Sequence, residues 1–358
     1  MSQVQEGAPG ASLLAAEGGV GTTAGEVLLD ARPRRRSWWV PVLAYLVTVF
    51  VLVTFNFALP RLIPGSPIDA MFASGSPDFV DDAQAREQLA EYYGLDKPVL
   101  EQYVDYLGGL VRGDLGTSID TNQPVSKELW PRIGWSLLLI GASTIVAVLI
   151  ALPLGIHSGW RRGRRSDRAM LGFFISVQNV PIYVLGFVAV VVLSAKLGIF
   201  PLFGASTANN DYDGIRQVLD VAWHLALPAL LMGFFDFAAY EYLVMRSSMV
   251  GELGSDYLLG GRAKGLRERR LKYGYAGRNA LLPVVTVVGL QFGLAIATIV
   301  FVERIFVYPG VGGYMFGAIG QRDYPAIQGA FLVLTVAVVT TNLIVDLLYR
   351  RLDPRVSR

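Results

Sequence analysis

The sequence predicts an all-α fold, a polytopic membrane protein with six transmembrane helices. Three observations carry that prediction. The 358-residue chain is 53% hydrophobic and only 17% charged, where soluble domains hold about a quarter charged residues; its mean hydropathy is +0.45. The charges are segregated, leaving apolar stretches of about 20 residues, the length that crosses a bilayer core. Lys and Arg also collect in alternate loops, as the orientation of a multi-pass chain demands.

Residues 1–36 are rich in Gly and Ala and show little periodicity, which predicts a disordered cytoplasmic tail. Arg32, Arg34, Arg35 and Arg36 then precede an apolar run. The basic cluster comes late and the run is long enough to span, so it is expected to be a retained first helix over 37–60 rather than a cleaved leader. Residues 61–132 are mixed in polarity and predict an extracytoplasmic segment holding a small amphipathic helix and a Gly-rich turn. A five-helix core over 133–349 follows. Its spans are expected near Ile133–Ile156, Met170–Leu197 with Pro181 inside, Leu225–Met245, Leu281–Val302 and Ala326–Leu348. A basic, Gly-punctuated loop, 246–279, separates the fourth span from the fifth, and residues 350–358 form a second cytoplasmic tail.

Orientation follows from the basic residues. Arg161, Arg162, Arg164, Arg165 and Arg168, the loop 246–279 and both tails carry most of the 31 Lys plus Arg. The segment from Lys196 to His224 instead carries Asp211, Asp213 and Asp220. Both termini are therefore expected in the cytoplasm of a multi-pass protein of the inner or plasma membrane. Trp38, Trp39, Trp130, Trp135, Trp160 and Trp223 fall near span ends, as interfacial anchors do. Because topology positions the basic residues, the net charge of +2 gives no reason to expect a nucleic-acid partner; the expected surroundings are membrane lipid.

The chain has no cysteine, so disulfides, thiolate metal sites and a cysteine nucleophile are excluded. Its two histidines, His157 and His224, lie on opposite sides of the predicted topology, which argues against a hydrolytic triad or a histidine metal site. No Gly-x4-Gly-Lys-Ser/Thr loop is present, so no ATP-binding site is expected on this chain. The Gly310-Val311-Gly312-Gly313 turn lacks a preceding strand and is not expected to hold phosphate. Gly155 and Gly159, like Gly289 and Gly293, have the spacing of close helix contacts.

A loop as long as 246–279 exceeds what a connection between two spans needs, and it predicts a docking element. Tyr257, Leu258 and Leu259 offer apolar contact, ringed by Lys264, Arg267, Arg269 and Arg270, as in a short helix that fits a groove on a partner. The plain alternative is a positive-inside loop that only sets topology. That would explain the charges but not the small residues Ala263 and Gly265.

Several blocks agree in order and spacing with one family. They are Arg246-Ser247-Ser248-Met249, Asp256-Tyr257-Leu258, Arg262-Ala263-Lys264-Gly265-Leu266, Asn279-Ala280-Leu281-Leu282-Pro283, Arg322-Asp323-Tyr324-Pro325 and Gly113-Asp114-Leu115-Gly116-Thr117-Ser118. From about residue 38 to 358 the chain resembles the permease subunits of ABC importers, in the variant typical of dipeptide, oligopeptide and nickel importers. The resemblance implies the type I ABC importer permease fold. It implies as partners a second homologous permease chain, two cytoplasmic ABC ATPase subunits that carry ATP and Mg, and an extracytoplasmic substrate-binding protein. Asp256, Tyr257, Leu258, Ala263, Lys264, Gly265, Leu266 and Asn279 match the loop that couples to the ATPases. The chain itself would bind no cofactor and would not be an enzyme. Di- and oligopeptides are the implied substrates, with nickel chelates or oligosaccharides as alternatives.

The chain departs from the family pattern at Gly260 and Gly261, which should make the loop more flexible, and at Asp236 and Glu241, which stand where relatives are more basic. A mid-span carboxylate must pair, protonate or face a cavity. Asp236 is therefore either a pathway residue, a structural hydrogen-bonding group or part of a permease–permease interface. Glu241, about 140° further around a regular helix, is not expected on the same face. Glu303 and Asp346 sit near span ends, where solvation is inexpensive, and are expected to be structural. A rival reading is an ion-coupled secondary transporter using Asp236, although such carriers often show internal repeats that this chain lacks.

Overall fold

The structure is a computed structural model that describes residues 39–62, 83–92, 94, 96–209 and 211–352. The expected tail 1–36 and most of the expected tail 350–358 lie outside the described residues, as does part of the segment 61–132. The described residues are helical and contain no strand, only one isolated bridge between Thr117 and Pro124.

The first helix, α1, runs Trp39–Leu62. It is followed by α2 (Ala83–Tyr92) and α3 (Val99–Val111). α3 is the amphipathic helix expected in the outer segment. Pro98, with its fixed φ of −54°, precedes its first residue, and Tyr103 and Tyr106 pack their rings on Phe57 of α1 at 5.1 and 5.5 Å. Gly113 and Gly116 then take φ of +78° and +84°, a backbone that only Gly adopts without strain, and turn the chain into α4.

Helix α4 (Val125–Trp160) has 36 residues, about 54 Å at the α-helical rise, so it stands well beyond a hydrocarbon core of about 30 Å. Helix α5 (Arg165–Gln178) and helix α6 (Ile182–Ala189), which continues as a π-helical segment Val190–Lys196, meet at a 92° bend. This corrects the straight span expected over Met170–Leu197. Pro181 has no N–H and disfavours helical geometry in the residue before it, so the helix stops at Asn179 and restarts at Ile182.

Helix α7 (Ile215–Leu230) passes through a π-helical segment, Leu231–Phe237, into α8 (Ala238–Glu252). The widened turn follows Pro228, and it brings Gly233 so close to α4 that a Cβ there would lie 2.8 Å from Cβ of Val146. A short helix, α9 (Asp256–Ala263), follows between the spans. A third π-helical segment, Arg270–Ala276, leads into α10 (Gly277–Ile305). Helices α11 (Val311–Gln321) and α12 (Tyr324–Leu352) complete the order. The block Arg322-Asp323 earns its place here: Arg322 ends α11 in the left-handed region at φ +53°, and the Asp323 carboxylate caps α12 by accepting the Ala326 N–H at 3.1 Å.

Among the described residues, four helices are long and apolar enough to cross a membrane: Val125–Trp160, Ile215–Glu252, Arg270–Ile305 and Tyr324–Ile344. The bent pair makes a fifth if counted as one span, and the apolar part of α1, Val42–Ala58, is shorter. The core lies between α4, α8 and α10, where Leu139, Ala147 and Ala151 meet Met232, Phe237, Tyr242 and Ile299. Small residues set the approach. A Cβ at Gly155 would lie 2.7 Å from Met245 Cβ and one at Gly159 2.5 Å from Met249 Cβ, so α4 and α8 touch nearly backbone to backbone. Gly293 plays the same part against Asn342 and Val338 of α12.

α1 and α12 run antiparallel, with the Tyr45 hydroxyl beside Thr340 and the Asn56 amide donating to Gln328 O. The start of α1, the end of α12, the basic turn 161–165 and α9 therefore share one end of the bundle. α3, the turn 113–124 and the start of α12 share the other.

Candidate functional site: the coupling helix and the buried acids

The local sequence folds α9 as a capped, single-sided helix. Ser255 precedes it in extended geometry and Asp256 lies in its first turn, where a negative charge favours the helix dipole. At its C-terminus Gly265 takes φ +71°; its N–H reaches Arg262 O at 2.9 Å, and the Leu266 N–H reaches Gly261 O at 3.1 Å. These two bonds form a Schellman motif, which requires a left-handed residue at the position Gly265 occupies. Gly265 thus makes a tight turn, and no other part of this chain lies within 4 Å of where its side chain would stand.

The helix is fixed along one side only. Leu258 is 0% exposed among Met249, Leu271 and Ala280, so it anchors α9 and is not presented to a partner, unlike the apolar contact expected of it. Leu266 packs half-buried beside the same cluster. Leu259, the next residue, is 68% exposed. Asp256, Ala263, Lys264, Gly265 and Asn279 are exposed too. Gly260 and Gly261 do not loosen the loop: both are helical, and Gly261 faces Leu271, whose Cδ2 would sit 2.6 Å from a Cβ. The Tyr257 hydroxyl donates to the Glu252 carboxylate at the end of α8 and also interacts with Asn279 at the start of α10. Burial, followed by the Glu252 bond, holds this phenol above its usual range, so it remains a donor. α9 is consequently strapped to two long helices while its outer face stays open.

A hub that the sequence reading missed lies next to it. Asp167, only 1% exposed, accepts from Arg246 Nε at 2.6 Å and Nη2 at 2.8 Å, from Ser158 Oγ at 2.6 Å and from Gly163 N at 2.8 Å. Ser158 in turn accepts from the Tyr242 hydroxyl at 2.6 Å. One carboxylate thus ties α4, α5 and α8 together. The available signal was a lone acid among the five arginines from 161 to 168. Lys272, also nearly buried, donates to His157 Nδ1 at 3.1 Å and joins the π-helical segment to α4.

The membrane-level acids separate. Asp236, on the π-helical segment, is half-buried and interacts with the Thr298 side chain of α10. Glu241 is 0% exposed, and neither carboxylate oxygen has a hydrogen-bond partner. It is enclosed by the chain's own helices. Glu303 is fully buried, not solvated as its place near a span end suggested. Its carboxylate accepts from Ser136 Oγ at 2.6 Å and Gly313 N at 2.9 Å, while Val311 N donates to Ser136 Oγ at 2.9 Å. The glycine turn at the start of α11 is therefore an anion cradle, filled by the chain's own Glu303. A side chain at Gly310 would run into that carboxylate.

The comparisons with known proteins agree with this anatomy. Residues 151–358, which include the whole 246–279 loop, match the family model described as binding-protein-dependent transport system inner membrane component. The chain is 33% identical over 332 residues to the dipeptide transport system permease protein DppB of Escherichia coli (strain K12), covering 88% of this chain and 96% of the relative. It is 35% identical to the di/tripeptide transport system permease protein DppB of Pseudomonas aeruginosa, over 86% of this chain and 95% of that one. The oligopeptide transport system permease protein AppB of Bacillus subtilis is 36% identical, with 86% and 95% covered. The chain belongs to the family of inner membrane components of binding-protein-dependent transport systems, and is a multi-pass transport permease of the type I ABC importer fold.

Proposed function

We propose that this chain forms half of the translocation path of an ATP-driven importer for di- and oligopeptides. A second, homologous permease chain supplies the other half. Two cytoplasmic ATPase subunits bind ATP and Mg and hydrolyse the nucleotide, and an extracytoplasmic binding protein delivers the peptide. Both termini and α9 face the cytoplasm. The peptide class is supported by the names of the three relatives, all permeases of peptide transport systems.

The observation that carries the coupling role is the one-sided mounting of α9. Leu258 is locked in the chain's own core while Leu259 stands 68% exposed, flanked by exposed Asp256, Ala263 and Lys264. An apolar side chain ringed by polar groups on a rigid helix fits a groove in a partner. Motion of that partner would pass through Leu258 into Met249 and Leu271, and through Tyr257 into Glu252 and Asn279. Asp236 is proposed to line the path, where its carboxylate would favour the peptide's α-ammonium in a low-dielectric cavity.

The test is reconstitution. The affinity-purified chain should bring down an ATPase, and the complex with its binding protein should take up radiolabelled short peptides only when ATP is hydrolysed. Peptide uptake that follows an ion gradient without ATP would establish the secondary-transporter reading instead.

A further inference from the structure

At the end of the bundle opposite α9, an open cleft of about 580 Å³ lies between the start of α4, residues 118–121 and α11. Charged groups of both signs line it: Asp120, Glu128, Arg132 and Arg304, with Tyr314 and Gln321 between them. Glu128 and Arg132 are one turn apart on α4, the spacing at which an acid and a base ordinarily pair. They do not pair. Arg132 Nη1 donates to the Glu128 main-chain carbonyl at 2.5 Å, and its guanidinium lies 4.6 Å over the Tyr314 ring. The Glu128 carboxylate accepts instead from the Tyr314 hydroxyl at 2.7 Å. Burial first, and Glu128 second, raise the Tyr314 phenol well above its ordinary range, so it stays protonated as that donor.

Arg304 stands exposed, 5.3 Å over Phe316, and has no carboxylate partner among the described residues. The buried acid of the same cleft is fully engaged. Asp323 accepts from Ser118 Oγ at 2.5 Å, Asp120 N at 3.1 Å and Ala326 N at 3.1 Å, and it closes the back wall. The protein has therefore satisfied the acid it buried and left two guanidinium groups unpaired in one recess. Two such groups suit a planar carboxylate, which they bind through parallel N–H donors. Acids along the same wall suit an ammonium. A volume of about 580 Å³ is in the range of small-ligand sites.

We propose that this cleft binds the two charged ends of a short peptide, the α-carboxylate on Arg132 and Arg304 and the α-ammonium toward Asp120 and Glu128. The proposal rests on the peptide-importer reading and adds a receiving site on the permease itself, on the face where the peptide arrives.

The experiment uses the assembled transporter in nanodiscs without its binding protein. An environment-sensitive dye on Gln321→Cys, which lines the cleft and is exposed, reports occupancy. The probes are tri-alanine, tri-alanine amide and inorganic phosphate. Tri-alanine should give a saturable response. The amide, and separately the R132Q/R304Q variant with tri-alanine, should bind about ten- to a hundredfold more weakly, the loss of a charge-assisted contact of about 1.5–3 kcal/mol. R132K/R304K, which keeps charge but not the fork, should fall between. No saturable response, or equal binding of peptide and amide, overturns the proposal. So does a response that phosphate or anionic lipid alone reproduces. If R132Q/R304Q fails to assemble, the comparison of acid with amide on the unaltered pair decides. Uptake of tri-alanine by the complete system tests the underlying reading separately. Uptake without a cleft response refutes only the cleft; a system that transports no peptide refutes the reading beneath it.

Discussion

Removing the Arg246 guanidinium strands a carboxylate that is only 1% exposed, and the size of that effect follows from its contacts. Asp167 takes two of its four hydrogen bonds from Arg246, at 2.6 and 2.8 Å; the others come from Ser158 and Gly163. Breaking a buried pair from one side costs about 3–5 kcal/mol, because the remaining charge is uncompensated. The two surviving donors place Arg246→Gln near the lower end, about 3 kcal/mol. That is more than a hundredfold in the ratio of folded to unfolded protein. Asp167→Asn/Arg246→Gln leaves no stranded charge and should recover at least about 1 kcal/mol, the scale of coupling between residues in one network. Unfolding in mixed micelles titrated with SDS measures both. A single-variant loss below about 1 kcal/mol, the value of an exposed pair, would refute the argument that Asp167 joins three helices through a desolvated charge.

Three further outcomes are expected. Gly265→Ala meets no neighbour but places a side chain at φ +71°, so it should cost about 1–2 kcal/mol from backbone strain; Gly265→Trp should insert normally yet lose ATPase binding, read by co-purification. Gly310→Ala drives a methyl into the Glu303 carboxylate and should cost about 1–3 kcal/mol or more, as overpacking does, whereas Gly317→Ala, with nothing within 4 Å, should be neutral in the same thermal-unfolding assay. Asp236→Asn should lower peptide uptake in proteoliposomes with complex yield unchanged; unchanged uptake would make its interaction with Thr298 purely structural.

The spans and the loop between α8 and α10 were legible because composition and charge segregation act over tens of residues. The segment proposed to couple could be located through Asp256, Ala263, Lys264 and Gly265, because that pattern runs along the chain and does not depend on packing. What escaped depends on neighbours remote in sequence. Leu258 and Leu259 are alike as letters, and only the positions of Met249 and Leu271 decide which is buried. Asp167 looked like one acid in a basic turn until Arg246 arrived from 79 residues away. Glu303 is structural, as expected, but for a different reason: the α11 turn folds over it and buries it, which its distance from a span end does not reveal. Pro181 was placed inside a single span, and the 92° bend beside it was not anticipated.

The account turns on α9 being the surface that meets the ATPase. A photo-crosslinking amino acid at Leu259 tests this most directly, with Leu149 as the control, since both side chains are 68% exposed and only Leu149 lies within a span. In actively transporting membranes, irradiation should join position 259 to an ATPase polypeptide and position 149 to lipid or to the partner permease. An ATPase crosslink from 149 and none from 259, with transport intact, would contradict the account.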